Sequence, residues 1–234
     1  MNPRISFVIP AYNAQAWVGD TIQSCLEQTV KQIEIVVVND GSKDNTQEIL
    51  DGMAKKDSRI RVIQLKENVG RSEARNIGNR ESKSDIICVL DSDDKATRNR
   101  AKDTLACFQI KKPDLVYGGF VLIDTFGNME KRFAPEPFSR EASLRFKTHH
   151  ICHSTLAYRK GVTLNVQYSS GDYSRLGIDD WKFIWDAHMK GYKFAYVKSP
   201  LCYYRRVDGT ITYTRDENEV EKVKSAFLAE KSLV

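Results

Sequence analysis

Apolar and polar positions follow two different periodicities over residues 1–95. Short runs rich in Val and Ile predict buried strands at 5–9, 33–38, 60–65 and 85–90. The segments between these runs carry apolar residues at helical spacing, as at Val18, Ile22 and Leu26. Strands and helices in regular alternation predict parallel pairing with right-handed crossover connections.

The pattern is less regular over residues 96–215. Its predicted elements are a strand at 114–123, a turn at 124–128, a hairpin partner at 129–133, a helix at 179–190 and a strand at 194–197. The chain is therefore predicted to be an α/β protein. A mostly parallel central sheet is flanked by helices, and its second half contains a small antiparallel element.

Length and composition fit one domain of this kind. The chain has 234 residues, 41% of them hydrophobic and 29% charged, which suits a single large α/β unit. We predict one domain over 1–215, followed by an amphipathic helix over 216–234. In that last segment the apolar residues stand among charges, at Val220, Val223, Phe227 and Leu228.

Charge and cysteine usage exclude several functional classes. The net charge of +5 comes without a basic run interleaved with aromatic residues, so nucleic acid is not expected as a partner. Five scattered cysteines without a C-x-x-C pair favour a reducing compartment over a zinc site or a disulfide framework. No stretch approaches the roughly 20 apolar residues of a membrane span. A cytoplasmic protein is predicted.

Polar clusters follow three of the predicted strands. Tyr12 and Asn13 follow the first, Asp40 and Gly41 the second, and Asp-Ser-Asp-Asp at 91–94 the fourth. The carboxyl ends of parallel strands share one rim, where open α/β sheets bind ligands. The carboxylates of 91–94 repel one another and suit a hard divalent cation. An acidic turn that caps the following helix is the alternative.

The order of these clusters resembles family 2 of the inverting glycosyltransferases, which have a GT-A fold. The matching pieces are Val-Ile-Pro-Ala-Tyr-Asn at 8–13, Val-Val-Asn-Asp-Gly-Ser at 37–42, Asn-Val-Gly at 68–70 with Ala-Arg-Asn at 74–76, Leu-Asp-Ser-Asp-Asp at 90–94, Asp-Asp-Trp at 179–181 and Tyr-Arg at 204–205. The resemblance implies a nucleotide-binding half over 1–95 and an acceptor-binding half over 96–215.

The resemblance also implies a nucleotide site. The residues that it assigns to the nucleotide are Pro10, Tyr12, Asn13, Asp40, Gly41, Arg75, Asp91 and Ser92. A carboxylate at Asp40 can accept the N3–H of uracil, so a UDP-sugar is the expected donor. Asp40 could also form a turn with Gly41, and a surface salt bridge is the alternative role for Arg75.

Asp93 is the expected metal ligand, with Asp91 nearer the ribose. Mn²⁺ or Mg²⁺ at Asp93 would bridge the carboxylate and the diphosphate. Arg205 and Arg206 are expected to supply positive charge to the diphosphate. Val207 stands where the family often has a histidine, which removes one further contact to the metal or diphosphate.

Asp180 is the expected catalytic base, which takes the proton of the acceptor hydroxyl. Acidic residues also favour helix N-termini for electrostatic reasons alone, and that is the alternative for Asp179 and Asp180. Asp179, Trp181 and His153 are the residues expected to contact the acceptor. His149, His150 and His153 lack the carboxylate or cysteine partners that a zinc site would need.

The expected function is metal-assisted, single-displacement transfer of a sugar from a nucleotide donor to a hydroxyl of a glycan or lipid-linked saccharide, in polysaccharide biosynthesis. A nucleotide-sugar-binding protein without transfer activity is the alternative. A phosphatase is disfavoured because Lys95 stands where its motif needs Thr or Val, and a nucleotidyltransferase because no Gly-rich loop follows the first strand. A peripheral contact with the cytoplasmic face of the inner membrane is a further hypothesis.

Overall fold

A computed structural model describes residues 3–139, 151–207 and 214–232. Its strands are β1 (Ile5–Ala11), β2 (Ile33–Asn39), β3 (Ile60–Gln64), β4 (Ile86–Val89), β5 (Lys95–Ala96), β6 (Leu115–Ile123), β7 (Met129–Phe133), β8 (Ala157–Arg159) and β9 (Phe194–Arg205). They form one sheet in the order β3-β2-β1-β4-β8-β6-β9-β5, with β7 paired to β6. The predicted α/β class is confirmed.

The first half of the sheet is parallel, as predicted. β1 pairs with β2 and β4, and β2 pairs with β3. Every residue of β1 and β2 is buried, because helices cover both faces and the strands are almost entirely apolar. The carboxyl ends of β1, β2 and β4 therefore open onto one rim.

The second half contains the antiparallel element. β7 forms the predicted hairpin with β6, and β8 runs antiparallel to both β4 and β6. β9 is parallel to β6 and extends eight residues beyond the predicted end at 197, to Arg205. β5 pairs with the end of β9, which brings the residues after Asp91 next to Arg205.

Helices and short 3₁₀ turns connect the strands and pack against the sheet. They are α1 (Val18–Leu26), α2 (Thr46–Ala54), α3 (Arg71–Glu81), α4 (Arg100–Lys111), α5 (Asp172–Arg175), α6 (Asp179–Met189) and α7 (Glu217–Ser232), with 3₁₀ turns at His153–Thr155 and Lys160–Leu164. α3 begins at Arg71, because Gly70 adopts φ +90° and turns the chain into the helix. Ser72 lies buried inside the helix.

The apolar stripe of α7 is buried within the fold. Val220 and Phe227 are 2% and 3% exposed, and they pack with Ile178, Trp181 and Trp185 around α6. The predicted amphipathic helix is present, but its apolar face contacts protein rather than solvent. Among the described residues, no helix combines the length and the apolar character that a membrane span requires.

Candidate functional site

Two cavities of similar size open along the rim of the sheet. The Asp93 cavity has a volume of about 580 Å³ and is lined by Pro10, Tyr12, Asp40 and Asp93 among others. The Asp180 cavity has a volume of about 560 Å³ and lies against the start of α6. Four residues line both cavities, which therefore adjoin: Arg71, Arg75, Asp91 and Tyr204.

The loops after β1 and β2 are joined by hydrogen bonds. The Asn13 amide N–H donates to Ser42 Oγ at 2.9 Å, and the Lys43 N–H donates to Asn13 Oδ1 at 2.9 Å. Asn13 has φ +49°, a conformation that Asn tolerates better than most residues. Asn13 thus shapes the rim, and it does not line the Asp93 cavity.

Gly41 is required by the backbone at this point. Its φ is +68°, and an added Cβ would lie 2.6 Å from the carbonyl carbon of Glu67. Gly41 does not line the Asp93 cavity, so the structure gives it a backbone role beside the cavity rather than a contact within it. It lets the loop after β2 approach the 67–70 segment closely.

Asp40 connects the 67–70 segment to the rim of the sheet. Its carboxylate accepts hydrogen bonds from the N–H groups of Val69 at 2.7 Å and Gly70 at 3.0 Å. A carboxylate has about four acceptor positions, so these two bonds leave capacity for a ligand N–H. Asp40 also lines the Asp93 cavity, together with the 48% exposed ring of Tyr12.

Asp91 lies against Arg75 and His153. Its Oδ1 accepts a 2.7 Å hydrogen bond from Arg75 Nη2, and His153 Nδ1 lies 3.7 Å from its Oδ2. Burial raises the pKa of Asp91, but Arg75 and His153 outweigh burial and hold that pKa well below its usual range. Asp91 is therefore an ionised carboxylate whose charge is largely compensated within the protein.

At Asp93 and Asp94, by contrast, burial and neighbouring carboxylates outweigh the nearby positive charge. Burial and the charge of Asp91 raise the pKa of Asp93 to about 6. Burial and the charges of Asp93 and Asp91 raise the pKa of Asp94 well above its usual range. Asp94 Oδ1 accepts a 2.7 Å hydrogen bond from the Arg205 N–H, which makes Asp94 a link between β5 and β9 rather than a ligand. The carbonyl oxygen of Ser92 accepts a 2.8 Å hydrogen bond from Thr21 Oγ1.

The donor set at Asp93 fits a magnesium or manganese ion. Among the described residues no group of three or more His, Cys, Asp or Glu side chains forms a complete metal cage. Mg²⁺ is usually held by one or two carboxylates plus substrate phosphates and water, so a complete cage is not required. Asp93 is half-buried, and a carboxylate with a raised pKa gains most from a neighbouring cation.

Arg75 links the acidic cluster, the carboxylates of residues 91–94, to α6. Its Nη1 donates a 2.6 Å hydrogen bond to Asp179 Oδ2, while its Nη2 is bonded to Asp91. Burial lowers the pKa of Arg75, but Asp91 and Asp179 outweigh burial and raise it. Ser72 Oγ donates a further 3.1 Å hydrogen bond to Asp179. Asp179 thus holds the first turn of α6 against α3 at a position 2% exposed.

Asp180 follows in the same turn and lines the cavity named after it. Its Oδ1 accepts a 2.7 Å hydrogen bond from the Trp181 N–H, and the side chain is half-buried. Trp181 lines the same cavity, but it is only 2% exposed and packs against Phe227 with ring centroids 5.3 Å apart. Trp181, which was expected to contact the acceptor, is therefore mostly a core residue.

His153 lies deeper than a surface acceptor contact would. It is 7% exposed, lines the Asp180 cavity, and its Nε2 lies 2.9 Å from the hydroxyl of Tyr168. Its position beside Asp91 ties it to the acidic cluster. The other two histidines of the predicted segment, His149 and His150, lie outside the described residues.

The two arginines after β9 have different surroundings. Arg205 is buried and lines the Asp93 cavity, and its Nε donates to the Asp93 carbonyl oxygen at 2.9 Å. Its guanidinium also lies 4.4 Å from the centroid of the Trp17 ring. Arg206 forms an ion pair with Glu130, with Nη2 2.8 Å from Oε1. Arg206 lines neither cavity, so the structure does not bring it to the site.

Sequence reasoning missed two residues at the junction of the cavities. Arg71 and Tyr204 line both cavities but were not assigned a role. Arg71 directly follows the Asn-Val-Gly piece at 68–70, and Tyr204 belongs to the Tyr-Arg piece itself. Those positions were the available signal.

The chain is similar in sequence to known proteins. The family model described as "Glycosyl transferase family 2" matches residues 6–165. Glycosyltransferase GlyG of Streptococcus pneumoniae serotype 4 (strain ATCC BAA-334 / TIGR4) is 29% identical, over 98% of this chain and 82% of that protein. The putative teichuronic acid biosynthesis glycosyltransferase TuaG of Bacillus subtilis (strain 168) is 32% identical, over 61% of this chain and 58% of that protein.

Solved structures share the fold. S. aureus TarS 1-349 in complex with UDP-GlcNAc matches with a TM-score of 0.68 at 18% identity, over 92% of this chain and 62% of that one. The mannosyltransferase PcManGT from Pyrobaculum calidifontis, in complex with GDP-Man and Mn²⁺, matches with a TM-score of 0.67 at 16% identity, over 90% of this chain and 59% of that one. The chain thus spans about three fifths of the length of these two structures. The expected GT-A fold is confirmed.

Proposed function

Because the chain belongs to glycosyltransferase family 2, we propose that it transfers a sugar from a nucleoside diphosphate donor to an acceptor hydroxyl, with inversion at the anomeric carbon. One observation carries this proposal: the adjoining cavities have Asp93 on one side and Asp180 on the other. A donor whose diphosphate lies at Asp93 would present its sugar at the junction. An acceptor at Asp180 would then approach from the opposite side.

The donor is proposed to be a UDP-sugar. Asp40 has acceptor capacity left for the N3–H of uracil, and the exposed ring of Tyr12 offers a face for the base. The complex of S. aureus TarS with UDP-GlcNAc supports the same nucleotide. The predicted contact of Arg75 with the nucleotide is less favoured, since both of its Nη atoms already bond to carboxylates.

A divalent metal completes the donor site in this proposal. Bound at Asp93, Mn²⁺ or Mg²⁺ would neutralise the charge that develops on the departing nucleoside diphosphate. Arg205 supports the same region, because it fixes the Asp93 backbone through the carbonyl oxygen. Asp91, compensated by Arg75 and His153, orients the cluster and adds little net charge.

Asp180 is proposed as the base. The Trp181 N–H fixes one of its oxygens, and Asp180 lines the Asp180 cavity, where a carboxylate can take the proton of an acceptor hydroxyl. One base suffices, because a single displacement forms no covalent intermediate with the enzyme. Asp179 then acts through α6, as a residue that positions Asp180 rather than one that contacts the acceptor.

A donor screen by thermal unfolding tests this proposal. With Mn²⁺ present, a donor at 100 times its Kd is expected to stabilise the protein by about 2.7 kcal/mol. The product of the stabilising donor is then examined by NMR for inverted anomeric configuration. Binding without transfer, the alternative, gives the same stabilisation and no glycosylated product. No stabilisation by any nucleotide sugar would contradict both.

The acceptor is proposed to be a glycan or a lipid-linked saccharide of polysaccharide biosynthesis, handled in the cytoplasm. The name of the relative TuaG, a putative teichuronic acid biosynthesis glycosyltransferase, supports this class. Peripheral contact with the inner membrane remains part of the hypothesis. The apolar stripe of α7 does not support it, because Val220 and Phe227 are already buried against α6.

A further inference from the structure

The turn between β6 and β7 presents two apolar side chains to solvent. Phe126 is 91% exposed and Met129 is 72% exposed. Neither side chain lines the Asp93 cavity or the Asp180 cavity. Apolar residues that stand singly are common on protein surfaces, whereas two within four positions at the end of a hairpin form a small apolar patch. Residues 124–129 form this hairpin tip.

Hydrogen bonds to Asp124 hold the hairpin tip in a defined turn. Asp124 Oδ1 accepts hydrogen bonds from the N–H groups of Phe126 at 2.9 Å and Asn128 at 2.8 Å. Asp124 Oδ2 accepts a further 2.9 Å bond from the Asn128 side chain. The exposed phenyl ring is therefore carried by a preorganised turn, which lowers the entropy lost when the tip binds a partner.

Basic residues outnumber acidic residues around the hairpin tip. Lys131 and Arg132 follow the tip on β7, and both are exposed. Arg206 lies alongside β7, where it pairs with Glu130 at 2.8 Å. The acidic residues of 124–132 are Asp124 and Glu130. Together these five side chains carry a net positive charge, which favours an anionic surface over a neutral one.

The size of the patch favours a membrane over a protein as its partner. An aromatic side chain buries about 150–250 Å². A specific protein interface buries about 800 Å² on each partner, which a tip with one aromatic and one thioether side chain does not provide. A bilayer interface needs no complementary shape, and it accommodates apolar side chains flanked by Lys and Arg.

The hairpin tip is connected to both cavities. Arg205 Nη1 donates a 3.0 Å hydrogen bond to the carbonyl oxygen of Thr125, while Arg205 Nε holds the carbonyl oxygen of Asp93. At the other end of β7, Phe133 lines the Asp180 cavity. Four steps of about 3.3 Å separate Met129 from Phe133, so the tip lies roughly 13 Å from that cavity wall.

We propose that the hairpin tip inserts into the surface of an anionic phospholipid bilayer. Phe126 and Met129 enter the boundary between headgroups and acyl chains, and Lys131 and Arg132 bind the lipid phosphates. The inference rests on the proposed function for its consequence: a lipid-linked acceptor anchored in that bilayer reaches the Asp180 cavity along β7. It names the surface of the fold that makes the peripheral membrane contact.

Co-sedimentation of the full chain with vesicles tests the contact. The parent should bind vesicles of equal parts phosphatidylcholine and phosphatidylglycerol more tightly than vesicles of phosphatidylcholine alone, and high salt should remove the difference. Phe126→Ser should weaken binding about tenfold or more, because it removes the largest apolar side chain of the tip.

Leu164→Ser is the matched control. Leu164 is 83% exposed, and it follows β8, whose end pairs with the start of β6. Leu164 therefore lies at the opposite end of β6 from the hairpin tip, and Leu164→Ser should bind vesicles like the parent. Arg132→Gln should weaken binding to the anionic vesicles about fivefold, the effect of about 1 kcal/mol for one basic residue near a charged membrane.

A tryptophan at the tip reports insertion directly. The emission that Phe126→Trp adds to that of the parent should shift to shorter wavelength with anionic vesicles, because the indole leaves water. The emission added by Leu164→Trp should not shift. Circular dichroism of both variants and of Phe126→Ser checks that the fold is retained.

The outcomes separate the membrane contact from the proposed function. Failure of the parent to bind anionic vesicles, or equal binding by Phe126→Ser, would overturn the contact. A dimer of the parent that Phe126→Ser dissociates would also overturn it, since the tip would then join two copies of the chain. UDP affinity with Mn²⁺ should be the same in Phe126→Ser and the parent. A parent that binds vesicles but no nucleotide would defeat the proposed function and leave the membrane contact standing.

Discussion

The Arg75 guanidinium donates a 2.6 Å hydrogen bond to the carboxylate of Asp179, and both side chains are buried. The two residues are 104 positions apart, on α3 and α6. Because Arg75 also holds Asp91, this one side chain connects the proposed metal site to the turn that carries the proposed base. The relative position of Asp93 and Asp180 therefore depends on it.

Arg75→Met should destabilise the fold strongly. It leaves Asp179 buried without its closest cation, and breaking such a pair typically costs about 3–5 kcal/mol. Urea unfolding measures the difference. Arg80→Met on the same helix removes an exposed pair with Glu73, which should cost less than about 1 kcal/mol. Equal losses in both variants would mean that the Arg75 link is not structural.

The rim of the site was predictable because it depends on parallel strands. Tyr12, Asp40 and Asp93 each follow a strand, so strand order alone brings them together. The partners of Arg75 were not predictable, because they depend on how α6 docks against α3. The burial of Trp181 was missed for a similar reason: α7 covers it, and periodicity within α7 does not say which surface its apolar stripe meets.

Gly41→Ala tests the backbone approach between the β2 loop and the 67–70 segment. A left-handed alanine costs about 1–2 kcal/mol, and contact with the Glu67 backbone adds to that cost. The free energy of unfolding should therefore decrease, and the affinity for UDP should fall with it. Gly52→Ala is the control, because a Cβ there meets nothing within 4 Å and should stabilise α2 by about 0.5–1 kcal/mol. A neutral Gly41→Ala would contradict the geometry.

Asp93→Asn should abolish the metal dependence of UDP binding. An amide replaces the carboxylate proposed to hold the cation, so UDP should bind equally well with and without Mn²⁺. Calorimetry at fixed ionic strength measures both affinities. Asp85→Asn, exposed at the opposite end of the same strand, should keep the parent's Mn²⁺ enhancement. A full enhancement in Asp93→Asn would remove Asp93 from the metal site.

The same carboxylate predicts a pH dependence. Its pKa is raised to about 6, so Asp93 is ionised above pH 6 and becomes protonated as the pH falls through that value. Metal ligands must be deprotonated, so Mn²⁺-dependent UDP affinity should be constant near pH 8 and fall about tenfold per pH unit well below 6. Asp91 should not contribute in this range, because Arg75 and His153 keep its pKa low. A midpoint near 4 would contradict the raised pKa.

The most direct test of the account is sugar transfer by Asp180→Asn, once the donor screen has identified a donor. The variant should bind UDP and unfold like the parent, while transfer falls by about 10²–10⁴-fold, the usual contribution of a general base. Asp186→Asn on the same helix, where Asp186 pairs with Lys182, is the control and should keep transfer. Transfer by Asp180→Asn at the parent rate would contradict the assignment of the base, and with it the division of the site between Asp93 and Asp180.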